Sequence, residues 1–156
     1  MGRRFLDLLE KILNGEQKMI PAIRHVDEAD LNFIFNSFLR SLRGYPEFAQ
    51  VSNEDYYSGQ KLELEQYLRS HTTLVLCNPE DPGHIFGYII ALPDEATIFV
   101  YVKYTYRKFG FAKLLLEAAH PSLYNKTIKA AYTCRNWAAV STKFRHLFNP
   151  YIRSKS

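Results

Sequence analysis

The N-terminal half of the chain carries two segments in which apolar residues recur at helical spacing. The first follows Asp27 and Asp30, which are typical of a helix start, and its apolar positions are Leu31, Ile34, Phe35, Phe38, Leu39 and Leu42. The second runs from about residue 53 to residue 70, with candidate buried positions at Tyr56, Tyr57, Leu62, Leu64, Tyr67 and Leu68. The pattern predicts two successive helices.

Short apolar runs around these helices predict strands. Residues 22–26 form a first run, and residues 72–77 and 85–92 form two more on either side of a loop rich in Pro, Gly and Asp. A fourth run, residues 96–106 (ATIFVYVKYTY), contains neither Gly nor Pro and is rich in β-branched and aromatic residues. A fifth, short strand is expected at residues 128–134.

Two further helices complete the predicted order. Residues 111–119 are apolar at helical spacing and precede Pro121, and a last helix is expected from about residue 136 to residue 148. The resulting order, β-α-α-β-β-β-α-β-α, belongs to the α/β class.

The ends of the chain differ from the middle. Residues 3–14 form an amphipathic segment, so we expect residues 1–19 to be a helical extension that packs on the sheet or against a second copy of the chain. Residues 20–150 are expected to form the domain, and residues 151–156 a polar tail.

The composition favours one soluble domain. A length of 156 residues with 47% hydrophobic residues is enough for a single core, and no apolar run reaches the roughly 18 residues of a membrane span. The N-terminus lacks the continuous apolar core of a signal peptide, so a cytoplasmic location is expected. Two cysteines, Cys77 and Cys134, indicate neither a disulfide framework nor a metal site.

A loop between the fourth strand and the following helix has the composition of an anion site. It reads Arg107, Lys108, Phe109, Gly110, Phe111 and Ala112. A helix that starts there points its first free N–H groups at one place, and a glycine lets a ligand approach the backbone. The loop has neither the Gly-Lys-Ser/Thr of a P-loop nor the Gly-x-Gly-x-x-Gly of dinucleotide-binding folds.

Charge is distributed unevenly along the chain. Residues 1–100 contain nine Lys and Arg against fifteen Asp and Glu, whereas residues 101–156 contain eleven against one. The basic part suits a polyphosphate ligand beside the loop, and the acidic part suits an amine or a basic peptide. Nucleic-acid binding is a weaker reading, because no known nucleic-acid motif is present and the acidic part would repel a long polyanion.

The loop and the order of elements resemble the GNAT superfamily of acyl-CoA N-acyltransferases over residues 20–150. The family loop reads Gln/Arg-x-x-Gly-x-Gly/Ala, which Arg107, Gly110 and Ala112 match. Val102, before the loop, stands where the family usually has a valine. The resemblance implies a mixed, mostly antiparallel sheet flanked by helices. Compared with the family, the sequence lacks the last two strands, so we expect a protein partner or a second copy to cover that edge. The N-terminally extended, C-terminally short form is similar to GNAT-like proteins encoded by tailed phages.

The resemblance also implies a cofactor and a reaction. The cofactor would be acetyl-CoA, and the acceptor a primary amine of a small molecule, a protein lysine or an N-terminus. The cofactor-binding residues would be the loop, main-chain groups of the fourth strand and the last helix, namely Val100, Tyr101, Val102, Arg107, Lys108, Phe109, Gly110, Phe111, Ala112 and Asn136.

The sequence matches the catalytic pattern of the family only in part. The family often reads Asn-x-x-Ala-x-x-x-Tyr on its last helix; Asn136 and Ala139 match, but Lys143 stands at the tyrosine. Tyr132 is the predicted substitute proton donor, with Tyr101, Tyr104 and Cys134 as alternatives. Glu95 is the predicted base, with the adjacent Asp94 as the alternative. The missing tyrosine leaves open a second hypothesis, an inactive module of the same fold that binds or supports a partner.

Overall fold

One six-stranded sheet, with its strands side by side in chain order, organises the molecule. A computed structural model describes residues 20–133 and 137–154. The first four strands are antiparallel, and the last two are parallel to β4. The strands are β1 (Ala22–His25), β2 (Thr72–Asn78), β3 (Asp81–Leu92), β4 (Ala96–Val102), β5 (Ile128–Ala130) and β6 (His146–Phe148).

Helices cover both faces of the sheet. They are α1 (Leu31–Arg43), α2 (Asn53–Ser70), α3 (Phe111–Ala119) and α4 (Trp137–Lys143). Side chains cap the start of the first two helical regions: Asp27 and Asp30 form a capping box in the short 3-10 turn before α1, and the Ser52 hydroxyl accepts the Asp55 N–H at the start of α2. None of the helices within the described ranges is both long and apolar enough to cross a membrane.

Alternation along the strands, interrupted on β3 by a bulge at Phe86, divides the core in two. On the face of α1 and α2, buried Val75, Tyr88 and Ile90 meet Phe38 and other apolar side chains of both helices. On the opposite face, Leu76, Phe86 and Ile89 meet buried residues of α3. The buried Tyr88 hydroxyl lies 2.7 Å from Ser37 Oγ of α1, which satisfies a polar group inside the first core.

The observed sheet confirms the predicted mixed, mostly antiparallel α/β architecture. The prediction of the buried face of α2 is corrected at two positions, since Tyr57 and Leu62 are 45% and 66% exposed. The buried stripe of this helix follows Tyr56, Gln60, Leu64 and Tyr67. Helical spacing alone does not identify which of several apolar stripes faces the sheet.

Four predicted boundaries are wrong. β3 begins at Asp81, inside the loop predicted before residue 85. β4 ends at Val102, because residues 104–106 turn into a 3-10 helix whose Tyr106 N–H bonds the Lys103 carbonyl. β5 ends at Ala130, before the predicted residue 134. The last helix ends at Lys143, because Arg145 has a φ of 52°, and the residues predicted to extend it form β6.

The C-terminal end differs most from expectation. One short strand, β6, follows α4, where the sequence predicts none. Residues 150–154 form a 3-10 turn, and Ile152 within it is buried in the first core. The predicted N-terminal extension (residues 1–19), Cys134 and Asn136 lie outside the described residues.

Gly87 of β3 is the position where the sheet tolerates no side chain. A Cβ there would collide with the Tyr101 carbonyl oxygen and lie 3.1 Å from Val102 Cα, both on β4. Gly87→Ala should therefore lower the free energy of unfolding by about 2 kcal/mol or more. Urea denaturation measures this.

Gly59→Ala is the control, because nothing lies within 4 Å of a Cβ at this position inside α2. It should raise stability by about 0.5–1 kcal/mol. Equal effects of the two substitutions would contradict the close approach of β3 to β4.

Candidate functional site

β4 and β5 separate soon after they meet. They pair only at Ala96 with Lys129 and at Thr97 with Ala130, with a further bond from the Ala131 N–H to the Thr97 carbonyl. At the same point β4 contains a bulge, since Phe99 and Thr97 face successive residues of β3 and Ile98 is the additional residue. A bulge bends and twists its strand, so β4 turns away from β5 beyond Thr97.

A small cavity occupies the gap that this separation leaves. Its volume is about 90 Å³, which is enough for a few water molecules or a small chemical group. It reaches both faces of the sheet, because its walls include Leu116 and Val140 on one side and Phe99, Tyr45 and Tyr132 on the other. Thr97 and His146 also line it.

The gap also leaves part of the β4 edge unpaired. Lys103 N–H bonds Phe86 O on β3, so by alternation Tyr101 also directs its backbone groups at β3, whereas Val100 and Val102 direct theirs at the gap. The Val102 carbonyl accepts a bond of 2.8 Å from Arg107 Nε. Val100 therefore offers a donor and an acceptor, and Val102 a donor, to a ligand in the gap.

The predicted anion loop leads from this edge into α3. Gly110 is the N-cap residue in the left-handed conformation (φ 75°), with no side-chain cap and with open space where its Cβ would be. The N–H groups of residues 111–113 have no intrahelical partner at a helix start. Phe111 stacks on Phe86 in the core, so it contributes backbone, not side chain, to the loop surface.

The two cations of the loop are placed differently. Arg107 lies over the rings of Tyr101 and Tyr104, at 5.5 and 5.8 Å from their centroids, in addition to its bond to Val102 O. These contacts orient its guanidinium at the mouth of the gap. Lys108 is exposed beside it, and half-buried Phe109 packs on Phe111 at 5.9 Å.

A series of buried hydrogen bonds lies at Thr97, where β4 and β5 are still paired and the gap ends. The Asp94 N–H donates to His120 Nδ1 (3.0 Å), which leaves the proton on Nε2 to donate to Thr97 Oγ1 (2.7 Å). The Thr97 hydroxyl then donates to His146 Nε2 (2.9 Å), and His146 Nδ1–H donates to the Phe144 carbonyl (2.7 Å). These hydrogen bonds join β4, the end of α3 and β6.

A charged cluster lies on the α1–α2 side of the gap. Tyr132, just after β5, donates to Glu63 Oε2 of α2 at 3.4 Å, and Tyr67 donates to Glu63 Oε1 at 3.4 Å. The Arg153 guanidinium lies 4.0 Å from the Tyr132 ring centroid and forms a two-pronged ion pair with Glu47. Burial and the Glu63 charge raise the pKa of Tyr132 to about 12, against the opposing effect of Arg153.

The predicted base lies elsewhere. Glu95 is exposed on the turn before β4, near His71, where its charge opposes the burial that lowers the pKa of His71. The structure thus brings Tyr132 together with Glu63 and not with Glu95. Sequence reasoning missed Glu63 because a glutamate on an amphipathic helix has the ordinary pattern of a solvated face, and the only available signal was its spacing of four residues from Tyr67.

Comparison with known proteins identifies the fold. No protein-family model and no curated protein sequence matches the chain. Among solved structures, an acetyl transferase described as putative from Pyrococcus furiosus aligns over 81% of this chain and 91% of its own, with 18% identity and a TM-score of 0.58. A GCN5-related N-acetyltransferase from Rhodopseudomonas palustris aligns over 83% and 82%, with 17% identity and a TM-score of 0.54.

YjaB from Escherichia coli aligns over 65% of each chain, just under two thirds of its length, with 19% identity and a TM-score of 0.47. The first two likenesses show that the chain has the GNAT acetyltransferase fold, as the loop and element order predict.

The two buried histidines predict a loss of stability in acid. Burial, and for His120 also the nearby His146, lowers the pKa of His120 to about 4, and burial lowers that of His146. Below the unfolded value of about 6.5, the unfolded chain therefore binds more protons than the native one. The free energy of unfolding should fall as pH drops from 6.5 toward 4, by at most about 1.4 kcal/mol per pH unit for each histidine.

Urea denaturation between pH 7.5 and 4.5 tests this. His146→Gln keeps an acceptor for Thr97 but does not titrate, so its slope with pH should be shallower. His25→Gln, at an exposed histidine on β1, should keep the wild-type slope. An unchanged slope in His146→Gln would show that this histidine is not buried as the neutral form.

Proposed function

We propose that this protein transfers an acetyl group from acetyl-CoA to a primary amine. The observation that carries the proposal is the gap between β4 and β5, which joins a free strand edge to an uncapped helix start. An extended chain with amide groups can bond to a free strand edge, and a diphosphate can bond to a helix start. Acetyl-CoA contains an extended arm with amide groups followed by a diphosphate. The likeness to the fold of acetyltransferases supports the same coenzyme.

The residues of the gap fit the parts of this coenzyme. Val100 and Val102 would bond the amides of its pantetheine arm, while the backbone of residues 110–112, with Arg107 and Lys108, would hold its phosphates. Tyr101, Phe109 and Phe111 would support these groups from beneath, because their rings pack on neighbouring aromatic side chains. Asn136, predicted from the family pattern, completes the proposed set. The bound coenzyme supplies an activated thioester.

Tyr132 is the proposed proton donor to the departing thiolate. Its ring lines the cavity, and its raised pKa keeps the hydroxyl protonated at neutral pH. Arg153 fixes the ring from one side, while Phe38 and Tyr45 pack against it edge-on at centroid distances of 6.3 and 6.5 Å. A fixed donor at the gap can act without a tyrosine on the last helix.

An inactive module of the same fold is the second candidate. It is favoured by Lys143, which stands where the family places its tyrosine, and by the adjacent Phe144, which is buried and not available as a donor. This candidate predicts that the protein binds a partner without acetyl-CoA turnover. Titration of acetyl-CoA and measurement of acetyl transfer distinguish this candidate from an active enzyme.

Gly110→Glu should abolish binding of acetyl-CoA. The substitution adds a negative charge to the phosphate site and places a side chain at a φ of 75°, which L-residues rarely adopt. Calorimetric titration should give micromolar affinity for the wild type and at least a tenfold loss in the variant.

Gly59→Glu is the matched control, because it adds the same charge at an open position inside α2, away from the loop. It should bind as the wild type does. Absence of binding in the wild type, or equal binding in both variants, would overturn the proposed coenzyme site.

Tyr132→Phe should lower the rate of acetyl transfer and leave coenzyme affinity unchanged. Loss of a positioned proton donor costs about 10²-fold in kcat, and the ring that packs against Arg153 remains. Release of free thiol from acetyl-CoA, measured with a panel of primary amines, gives the rate. Wild-type kcat in the variant would remove Tyr132 from the mechanism, whereas no turnover by the wild type with any amine would favour the inactive module.

A further inference from the structure

The outer edge of β6 carries main-chain groups that no neighbouring strand uses. The Arg145 carbonyl accepts a bond of 2.9 Å from the Ile128 N–H, and by alternation Leu147 also directs its main-chain groups at β5. His146 and Phe148 direct theirs away from the sheet, and within residues 20–133 and 137–154 these groups form no main-chain hydrogen bond. Two N–H donors and two carbonyl acceptors therefore lie along an open edge.

The side chains of this edge are apolar and accessible. Leu147 is 62% exposed, and Phe148 is 41% exposed on the opposite face, where its ring centroid lies 6.3 Å from that of Trp137. Although β6 has only three residues, it contains no proline, lysine, carboxylate or bulge, which are features that keep edge strands from pairing. An extended segment beside β6 would cover an apolar side chain on each face of the sheet.

Three cations without a carboxylate partner lie around the edge. Residues 118–156 contain seven Lys and Arg and no Asp or Glu. Lys143 and Arg145 are exposed just before β6, and Lys129 of β5 lies beside Leu147 in the strand register. In the described part of the chain none of these three side chains forms an ion pair. Their summed charge favours a negatively charged ligand at this edge.

We infer that β6 binds an extended, acidic segment of a partner protein, which adds a further strand to the sheet. The alternating donors and acceptors of the edge match the main chain of an extended peptide, and carboxylates on that peptide would face Lys129 and Arg145. A second copy of β6 would instead bring like charges together. A nucleic acid would bring phosphates next to two carbonyl groups, which can only accept hydrogen bonds.

This edge is distinct from the proposed coenzyme site. The gap lies between β4 and β5, whereas the open edge lies on the far side of β6. His146 belongs to both, since its side chain lines the cavity and its main chain lies on the edge. The inference does not rest on acetyl transfer, and it applies equally to an enzyme and to an inactive module of the same fold.

The first test is titration of a blocked peptide of alternating glutamate and valine into the full chain, monitored by calorimetry and by NMR amide shifts. The peptide should bind, with the largest shifts at His146 and Phe148. Two other peptides should each bind at least tenfold more weakly: one with lysine in place of glutamate, which reverses the charge, and one with every amide nitrogen methylated, which lacks donors. Equal affinity of the three peptides, or no binding of the first, would overturn the inference.

The second test compares two substitutions of Phe148. Phe148→Pro removes the N–H that points away from the sheet, and edge strands tolerate proline at such positions, so the bonds to β5 should persist. Phe148→Ala loses the same ring but keeps the N–H, which makes it the matched control. The proline variant should bind the glutamate peptide at least tenfold more weakly than the alanine variant. Equal affinities would rule out strand addition.

The contribution of charge and the two other partners are tested on the same edge. Lys129→Gln should weaken peptide binding about two- to fivefold, whereas Lys61→Gln, at an exposed position of α2, should bind as the wild type does. Single-stranded oligothymidine that binds more tightly than the peptide would overturn the inference in favour of a nucleic acid. A dimer that forms in sedimentation and dissociates in Phe148→Pro would overturn it in favour of a second copy.

Discussion

The separation of β4 from β5 is the constraint on which the candidate site depends. After Thr97 the two strands stop exchanging hydrogen bonds, although β4 continues for five more residues. A sheet interior with unpaired backbone groups is costly unless another partner satisfies them. Arg107 satisfies one of these groups, the Val102 carbonyl, and the others face the gap. These unpaired groups are the ones to which the amides of the proposed coenzyme would bond.

The two sides of the gap are held by different kinds of contact. On the α3 side, Thr97 bridges two histidines whose lowered pKa values keep them neutral, so this part fixes β4 to β6 without charge. On the α1–α2 side, the charged Glu63 and Arg153 contact Tyr132, which lines the same cavity. The charged groups therefore lie on the α1–α2 side, while the opposite side supports the strand.

The sequence was a good guide where one physical pattern dominates. Alternating strands, the stripe of α1 and the glycine-containing loop before α3 each follow from local spacing, and they suffice for the fold. The residue pairs of the site do not follow from spacing, because Tyr132 and Glu63 are 69 residues apart and meet only when β5 is laid against α2. The strand β6 was missed for a related reason: its three residues become a strand only by pairing with β5.

The C-terminal turn, residues 150–154, holds Tyr132 and the end of β5 in place through Arg153. Arg153 donates to the Ala131 carbonyl through Nε and to both Glu47 oxygens through its terminal nitrogens, while its face rests on Tyr132. These contacts join the region before α2, the end of β5 and the C-terminal turn into one unit. Because the guanidinium is fully engaged in them, it orients Tyr132 without neutralising Glu63 by a direct ion pair. Among the described residues, Glu63 is thus the carboxylate that accepts from both tyrosine hydroxyls.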